Sequence, residues 1–134
     1  MVVDTSALIE VFLDGSEAGA VKAAIKPSRG HRFMSAASYL EAHIVVRRRF
    51  ESAQTQSRRL LDELIARYGI AIEGVQDAHA RLAVEAYYRF GKGGGSGALN
   101  YGDCFSYALA MQRNDVLLFI GKDFHQTDIR PALA

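Results

Sequence analysis

The alternation of short β-branched runs with longer helical stretches constrains this chain more than any other feature. The sequence opens on MVVDTS, and short apolar runs recur as HRFMS (31–35), IAIEGV (70–75) and VLLFIG (116–121). Strands separated by helices favour parallel pairing, because each helix carries the chain back to the start of the next strand. The pattern therefore predicts an α/β fold whose central, mainly parallel sheet is covered by helices on both faces.

The segments between these runs have the periodicity and the end signals of helices. We predict helices over 7–13, 17–25, a stretch from Ser35 or Ser38 to 50, 56–69, 76–91 and 100–114, and one more helical turn within 123–129. The glycine-rich segment 92–98 lies between two helices and is predicted to be a mobile surface loop. No repeat or linker divides the chain, so we expect one domain over residues 1–134.

Composition limits the classes of function. A chain of 134 residues with 49% hydrophobic and 23% charged residues is typical of a globular domain. The formal net charge of +1 argues neither for nor against nucleic acid as a partner. One cysteine excludes an internal disulfide. No secretory signal is visible and no apolar run approaches the roughly 20 residues that span a bilayer, so we expect a cytoplasmic protein without membrane association.

The glycines of 92–98 do not form a phosphate-binding motif. A P-loop requires G-x-x-x-x-G-K-[ST] between a strand and a helix, whereas Lys92 precedes the glycines here and follows a helix. The dinucleotide pattern G-x-G-x-x-G also fails, because Ser96 stands where the last glycine is needed. Nucleotide binding by this loop is therefore not expected.

Four acidic residues fall where the predicted elements would bring them together. Asp4 ends the first strand, and Asp123 follows the last one. Glu41 lies in the first turns of the helix after the second strand, and Asp103 lies in the first turn of the helix that begins near Asn100. Loops at the carboxyl ends of parallel strands meet at one edge of the sheet, where ligands bind. We therefore predict that the four carboxylates converge at this edge.

Helix capping is the simpler interpretation of each acid taken alone. Asp4 could cap the first helix, and Ser38-x-x-Glu41, Asn100-x-x-Asp103 and Asp123-x-x-Gln126 resemble capping boxes. Capping leaves the convergence of four acids unexplained, since their mutual repulsion costs stability unless a cation neutralises it. All-oxygen ligands select hard cations such as Mg²⁺ or Mn²⁺, which favour phosphodiester hydrolysis.

Several separate segments resemble one family. MVVDTSALIEVFL, SAASYLEAHIVV, GKGGGSGALNYGDCFSYALA and LLFIGKDFHQTDI are together similar to PIN-domain ribonucleases, most closely to the VapC-like toxins of toxin–antitoxin pairs. The resemblance implies a three-layer α/β/α sandwich with endoribonuclease activity that depends on Mg²⁺ or Mn²⁺. It also implies an RNA substrate, a cognate antitoxin as partner and a homodimer.

The resemblance assigns roles to positions of this sequence. The core acids of the family are matched by Asp4, Glu41 and Asp103, and the acid of its Gly-x-Asp-Phe segment is matched by Asp123. Three polar residues match supporting positions: Thr5, Ser6 and Asn100. Catalysis and metal binding are accordingly expected at the four acids. Lys122 stands where the family often has Asn or Asp, which lowers the local negative charge and makes it a candidate contact to substrate phosphate.

Two other functions stay open. An aspartate-nucleophile phosphatase would use Asp4, but that chemistry usually requires a second acid two residues later, where Ser6 stands. A non-catalytic PIN-fold binding module would keep the fold for protein contact, although such a module would be expected to lose acids that this chain retains. Cys104 is expected to be a buried structural thiol beside Asp103.

Overall fold

A parallel sheet forms the centre of the molecule in the computed structural model, which describes residues 1–26, 30–94 and 97–133. The described strands are β1 (Val2–Val3), β2 (Arg32–Ser35), β3 (Ile70–Glu73) and β4 (Leu117–Leu118). All their pairings are parallel and their order is β3-β2-β1-β4. The first strand of the sequence therefore lies inside the sheet, between β2 and β4.

Helices connect the strands. They are α1 (Thr5–Phe12), α2 (Ala18–Ala24), α3 (Ala36–Arg49), α4 (Gln54–Arg67), α5 (Asp77–Phe90) and α6 (Tyr101–Arg113), with a short 3-10 turn at Glu51–Ala53. Of the helices described, none is both long and apolar enough to cross a bilayer. Their bounds agree with the sequence prediction to within a few residues.

Successive residues of the strands point to opposite faces of the sheet and belong to different cores. Val3, Met34 and Leu118 are fully buried in the core formed with α1 to α4. Val2 and Leu117 belong to the core formed with α5 and α6. Helices thus cover both faces, which confirms the predicted α/β/α sandwich with a parallel sheet.

The carboxyl edge of the sheet is where β1 and β2 pass directly into helices. Asp4 follows β1 and is the N-cap of α1, while Ser35 ends β2 and is the N-cap of α3. The backbone N–H of Asp4 donates to Leu118 O at 2.9 Å, which fixes the start of α1 against β4. Because these connections are so short, side chains early in α1 and α3 are held at the same edge.

Some local predictions were wrong. Strand β4 is confined to Leu117–Leu118, shorter than the predicted run 116–121. The capping box predicted at Ser38 is absent, because α3 begins at Ala36 and Ser38 lies buried inside it. Of the predicted loop 92–98, positions 95 and 96 lie outside the described residues.

The helical turn predicted within 123–129 is also wrong, and with it the cap at Asp123. The segment forms tight turns, in which the His125 N–H donates to Lys122 O and the Thr127 N–H to Phe124 O, each at 3.1 Å. The Thr127 hydroxyl also donates to Phe124 O at 2.7 Å. Such local side-chain bonds compete with helical ones, so the segment does not continue as a helix.

The sandwich predicts a large cost for a cavity beside the carboxyl edge. Leu118→Ala removes a fully buried side chain from β4 and should lower the free energy of unfolding by about 2–5 kcal/mol. Leu40→Ala is the matched control, because Leu40 is 60% exposed on α3, and it should change stability by less than about 1 kcal/mol. Urea unfolding of both variants measures the difference. Equal effects would mean that the core is not packed as described.

Candidate functional site

The carboxylate of Asp4 is buried at the end of β1, with only 3% of the residue exposed. Its Oδ2 accepts hydrogen bonds from the Ser6 backbone N–H at 2.9 Å and the Ser6 hydroxyl at 2.6 Å. Its Oδ1 accepts from the Ser106 hydroxyl at 2.5 Å. A buried carboxylate is costly without donors, and here both oxygens have them. Asp4 therefore caps α1, but capping does not explain the bond that it accepts from Ser106 of α6.

Ser106 and Ser38 are site residues that the sequence analysis missed. Their hydroxyls lie 3.0 Å apart, and neither residue has any exposed surface. The pair joins α3 to α6 next to Asp4. A signal was available, because Ser106 follows Asp103 by three positions on α6 and so shares its face of the helix. A hydroxyl at that spacing on an apolar helix indicates a buried hydrogen bond.

Glu41 lies in the second turn of α3 and points to the same edge. The Thr5 hydroxyl donates to Glu41 Oε2 at 2.9 Å and also lies 3.1 Å from Ser38 O. Burial raises the pKa of Glu41 above its ordinary value, the bond from Thr5 opposes this, and the charge of Asp4 raises it further. Glu41 and Asp4 are therefore electrostatic neighbours.

Gly102 makes room for Glu41, which is a second feature that the sequence analysis missed. A Cβ at position 102 would lie 2.5 Å from Glu41 Oε2 and 2.7 Å from its Cδ. Glycine inside a helix normally costs stability relative to alanine. Its presence in the first turn of α6, next to Asp103, was the available signal that another group approaches the helix closely at that point.

Asp103 is the most perturbed carboxyl group of the site. Asn100 and Asp103 form the predicted capping box: Asn100 Oδ1 accepts from the Asp103 N–H, and Asp103 Oδ2 accepts from the Asn100 N–H, each at 2.9 Å. Burial raises the pKa of Asp103 to about 7, the Asn100 N–H opposes the shift, and the charges of Asp4, Asp123 and Glu41 add to it. The charges of all three other acids thus contribute to the pKa of Asp103.

Asp123 and Lys122 follow β4 on the loop over the same edge. Asp123 is partly buried and Lys122 is exposed, directly after Gly121, whose φ is +96°. Asp123 lies close enough to Asp103 to raise the pKa of that carboxyl group. The structure therefore brings the four acids named from the sequence together at one edge, with Thr5, Ser6 and Asn100 each bonded to one of them.

The four carboxylates are coupled neighbours and not a preformed metal cage. Across residues 1–26, 30–94 and 97–133, no three His, Cys, Asp or Glu side chains are already arranged to hold a metal ion. Asp4, Glu41 and Asp103 are each turned toward hydroxyl or N–H donors. The donor set nevertheless fits a hard divalent cation, because it consists of oxygens alone and its repulsion is what a cation would relieve.

Cys104, beside Asp103, takes no part in this set. It is buried among apolar residues of α5 and α6. Burial raises the pKa of its thiol to about 11, and the charge of Asp103 adds to the shift. The thiol is therefore protonated at neutral pH, in agreement with the structural role expected for it.

Comparison with known sequences identifies the family. The PIN domain family matches residues 1–130, and the chain belongs to that family. Within it, the chain is similar to VapC ribonucleases. It is 44% identical to ribonuclease VapC42 of Mycobacterium tuberculosis over 133 residues, which covers 98% of each chain. It is 43% identical to ribonuclease VapC of Mycolicibacterium smegmatis, with 96% of this chain and 97% of the relative covered.

Solved structures share the fold at lower sequence identity. The VapC20 toxin of Mycobacterium tuberculosis, described as cleaving the sarcin-ricin loop, matches with a TM-score of 0.74 at 14% identity, covering 96% of this chain and 95% of its own. A toxin–antitoxin complex from Klebsiella pneumoniae matches with a TM-score of 0.66 at 18% identity, with coverages of 95% and 92%. These two confirm the architecture of the sandwich.

The raised pKa of Asp103 predicts how stability depends on pH in the absence of metal. The folded protein holds the proton to about pH 7, whereas the unfolded chain releases it near the ordinary value of 3.8. The folded state therefore binds more protons between these values, and the free energy of unfolding should fall as pH rises from about 4 to about 7 and then level off.

Asp103→Asn should remove this decline, since an amide has no charge to bury and can still accept the bond from the Asn100 N–H. In denaturant unfolding with EDTA from pH 4.5 to 8.5, the free energy of unfolding of the variant should increase relative to that of the wild-type protein as pH rises. Asp77→Asn, which alters an exposed acid in the first turn of α5, is the control and should follow the wild-type curve. A constant difference between Asp103→Asn and wild type would show that Asp103 does not titrate in this range.

Proposed function

We propose that this protein is an endoribonuclease that depends on Mg²⁺ or Mn²⁺ and acts as the toxin of a toxin–antitoxin pair. The observation that carries the proposal is the convergence of four acids at the carboxyl edge, where burial raises the pKa of Asp103 to about 7 and the charges of Asp4, Asp123 and Glu41 add to the shift. A phosphatase that uses Asp4 as nucleophile is less well supported, because that chemistry usually requires a second acid two residues later, where Ser6 stands and serves as a donor to Asp4.

Asp4, Glu41, Asp103 and Asp123 are the residues that would hold the cation. When bound, Mg²⁺ or Mn²⁺ acidifies water for attack on phosphorus and neutralises the charge that develops on the phosphate during in-line displacement. Asp103 would hold the cation in its ionised form, so cation binding would release the proton that Asp103 keeps in the metal-free protein. Activity should therefore rise as pH approaches and passes about 7.

The hydroxyl groups of the site would orient its carboxylates. Ser6 and Ser106 hold the two oxygens of Asp4, and Thr5 holds Oε2 of Glu41. Carboxylates fixed in this way lose little freedom when they bind a ligand, which is the usual contribution of groups that surround metal ligands. Lys122 is exposed beside Asp123, and we expect its ammonium group to contact an RNA phosphate.

The negative charge of the site also supports a partner protein that carries a cationic side chain. An acidic pocket is most directly blocked by a cationic side chain, and an arginine can pair with carboxylates through two hydrogen bonds. The Klebsiella pneumoniae match is a toxin–antitoxin complex, and VapBC2 of Rickettsia felis is described as bound to DNA from its promoter. We infer that a cognate antitoxin inhibits this protein by placing such a side chain against the acids. The homodimer and the cytoplasmic location implied by the family resemblance are part of the same proposal.

Asp103→Asn tests the proposed chemistry. Cleavage of a single-stranded RNA should require Mg²⁺ or Mn²⁺, stop with EDTA, and fall by more than about 100-fold in the variant, because one ligand charge is lost. Asp77→Asn should cleave at the wild-type rate. A fully active Asp103→Asn variant would exclude this site. A wild-type protein that cleaves no RNA with either metal would favour the binding module instead.

Gly102→Ala tests the position of Glu41 without changing any charge. The added Cβ should displace the end of the flexible Glu41 side chain, so stability should hold while cleavage falls roughly 10- to 100-fold. Gly19→Ala is the matched control, since Gly19 is also helical and a Cβ there meets nothing within 4 Å. Initial cleavage rates and melting temperatures of both variants provide the comparison. Unchanged cleavage by Gly102→Ala would show that Glu41 tolerates displacement.

A further inference from the structure

The loop that carries Asp123 needs an anchor outside itself. The loop leaves β4 after Leu118 and runs through tight turns before it returns beside the same strand, where Leu117 N–H donates to Arg130 O at 2.9 Å. Phe124 and Ile129 are buried and hold its apolar side against the core. The Ile120 N–H donates to the Ser6 hydroxyl of α1 at 3.1 Å, which ties the start of the loop to the edge. Beyond Asp123, the loop makes polar bonds to α5 and α6.

Asp128 supplies such bonds. Its Oδ1 accepts from the Tyr107 hydroxyl of α6 at 2.6 Å, and its Oδ2 accepts from Arg89 Nη2 of α5 at 3.0 Å. The Arg89 pair is about half exposed, so it adds little by itself. The Tyr107 residue is 3% exposed. A hydroxyl bonded to a carboxylate is a strong, charge-assisted hydrogen bond, so Tyr107 is the stronger of the two partners of Asp128.

The electrostatics of the contact keep it formed at neutral pH. Burial raises the pKa of Tyr107 to about 12, and the bond to Asp128 adds to the shift. The same bond, together with Arg89, holds the pKa of Asp128 below its usual range. Tyr107 therefore stays a donor and Asp128 stays an ionised acceptor over the range in which the site would work.

The anchor and the site share one helix. Tyr107 follows Asp103 by four positions on α6, so the two side chains lie one turn apart on one face of the helix. Within the loop, the Thr127 hydroxyl bonds to Phe124 O at 2.7 Å and makes the segment between Asp123 and Asp128 stiff. Thus α6 carries both Asp103 and Tyr107, Tyr107 is bonded to Asp128, and the turns of the loop connect Asp128 back to Asp123.

We propose that Tyr107 and Asp128, supported by Arg89, are positioning residues that hold Asp123 at a fixed place relative to Asp103. Their role is to set the geometry of the fourth carboxylate toward the divalent cation, and it rests on the proposed metal-dependent function. None of the three is itself a ligand. Loss of the Tyr107 hydroxyl should therefore loosen the loop and weaken the contribution of Asp123 to cation binding.

Hydrogen exchange of the metal-free protein tests the anchor itself. Tyr107→Phe keeps the ring and removes the hydroxyl, and it should speed exchange of the His125 and Thr127 amides by about tenfold while amides of α3 keep their rates. Tyr88→Phe is the matched control, because Tyr88 is 79% exposed on α5, and it should change nothing. Unchanged exchange of the loop amides in Tyr107→Phe would overturn the proposal, as would equal acceleration throughout the protein.

A double-mutant cycle tests whether the anchor acts through Asp123. Isothermal titration with MnCl₂ is performed on wild type, Tyr107→Phe, Asp123→Asn and the double variant. Tyr107→Phe should weaken Mn²⁺ binding by about tenfold in the wild-type background and have no further effect when Asp123 is already Asn. An equal loss in both backgrounds, or none in either, would overturn the proposal. If wild type binds no Mn²⁺ and cleaves no RNA, the proposed function fails, and the anchor is then decided by hydrogen exchange alone.

Discussion

The carboxylate of Asp4 is buried where the first strand ends, and a buried carboxylate must be surrounded by hydrogen-bond donors. Those donors come from both sides of the sheet: Ser6 belongs to α1, and Ser106 reaches Asp4 from α6. Ser106 also contacts Ser38 of α3. The Asp4 carboxylate is therefore the point where β1 meets helices from both faces of the sheet, and both of its oxygens accept hydrogen bonds. The other three acids lie around it.

Crowding of like charges gives this edge its chemical character. Burial raises the pKa of Asp103 to about 7 and the charges of Asp4, Asp123 and Glu41 add to the shift, so in the absence of a cation Asp103 retains its proton to about that pH. A divalent cation would replace that proton and hold Asp103 in its ionised form, which couples metal uptake to proton release in the proposed function. Helix capping and metal binding are compatible roles here, because Asp103 uses Oδ2 for the Asn100 N–H and has a second oxygen.

Local sequence patterns predicted the fold and the four acids, whereas they could not predict the contacts between separate helices and strands. Strand–helix alternation identified the parallel sheet, and the ends of those elements placed Asp4 and Asp103 at its carboxyl edge. Ser106 and Gly102 were missed because their importance arises from the approach of α3 to α6, which no short segment encodes. The helical turn expected within 123–129 failed for a different reason, since a local bond from the Thr127 hydroxyl to Phe124 O competes with helical bonds while Phe124 and Ile129 are buried in the core.

Anomalous diffraction from crystals of this protein soaked in MnCl₂ would locate the cation directly, without relying on activity. We expect one strong manganese peak at the carboxyl edge of the sheet, within coordination distance of oxygens from Asp4 and Asp103 and with Glu41 or Asp123 nearby. A peak bound only by other residues, or no peak at a concentration that supports RNA cleavage, would contradict this expectation.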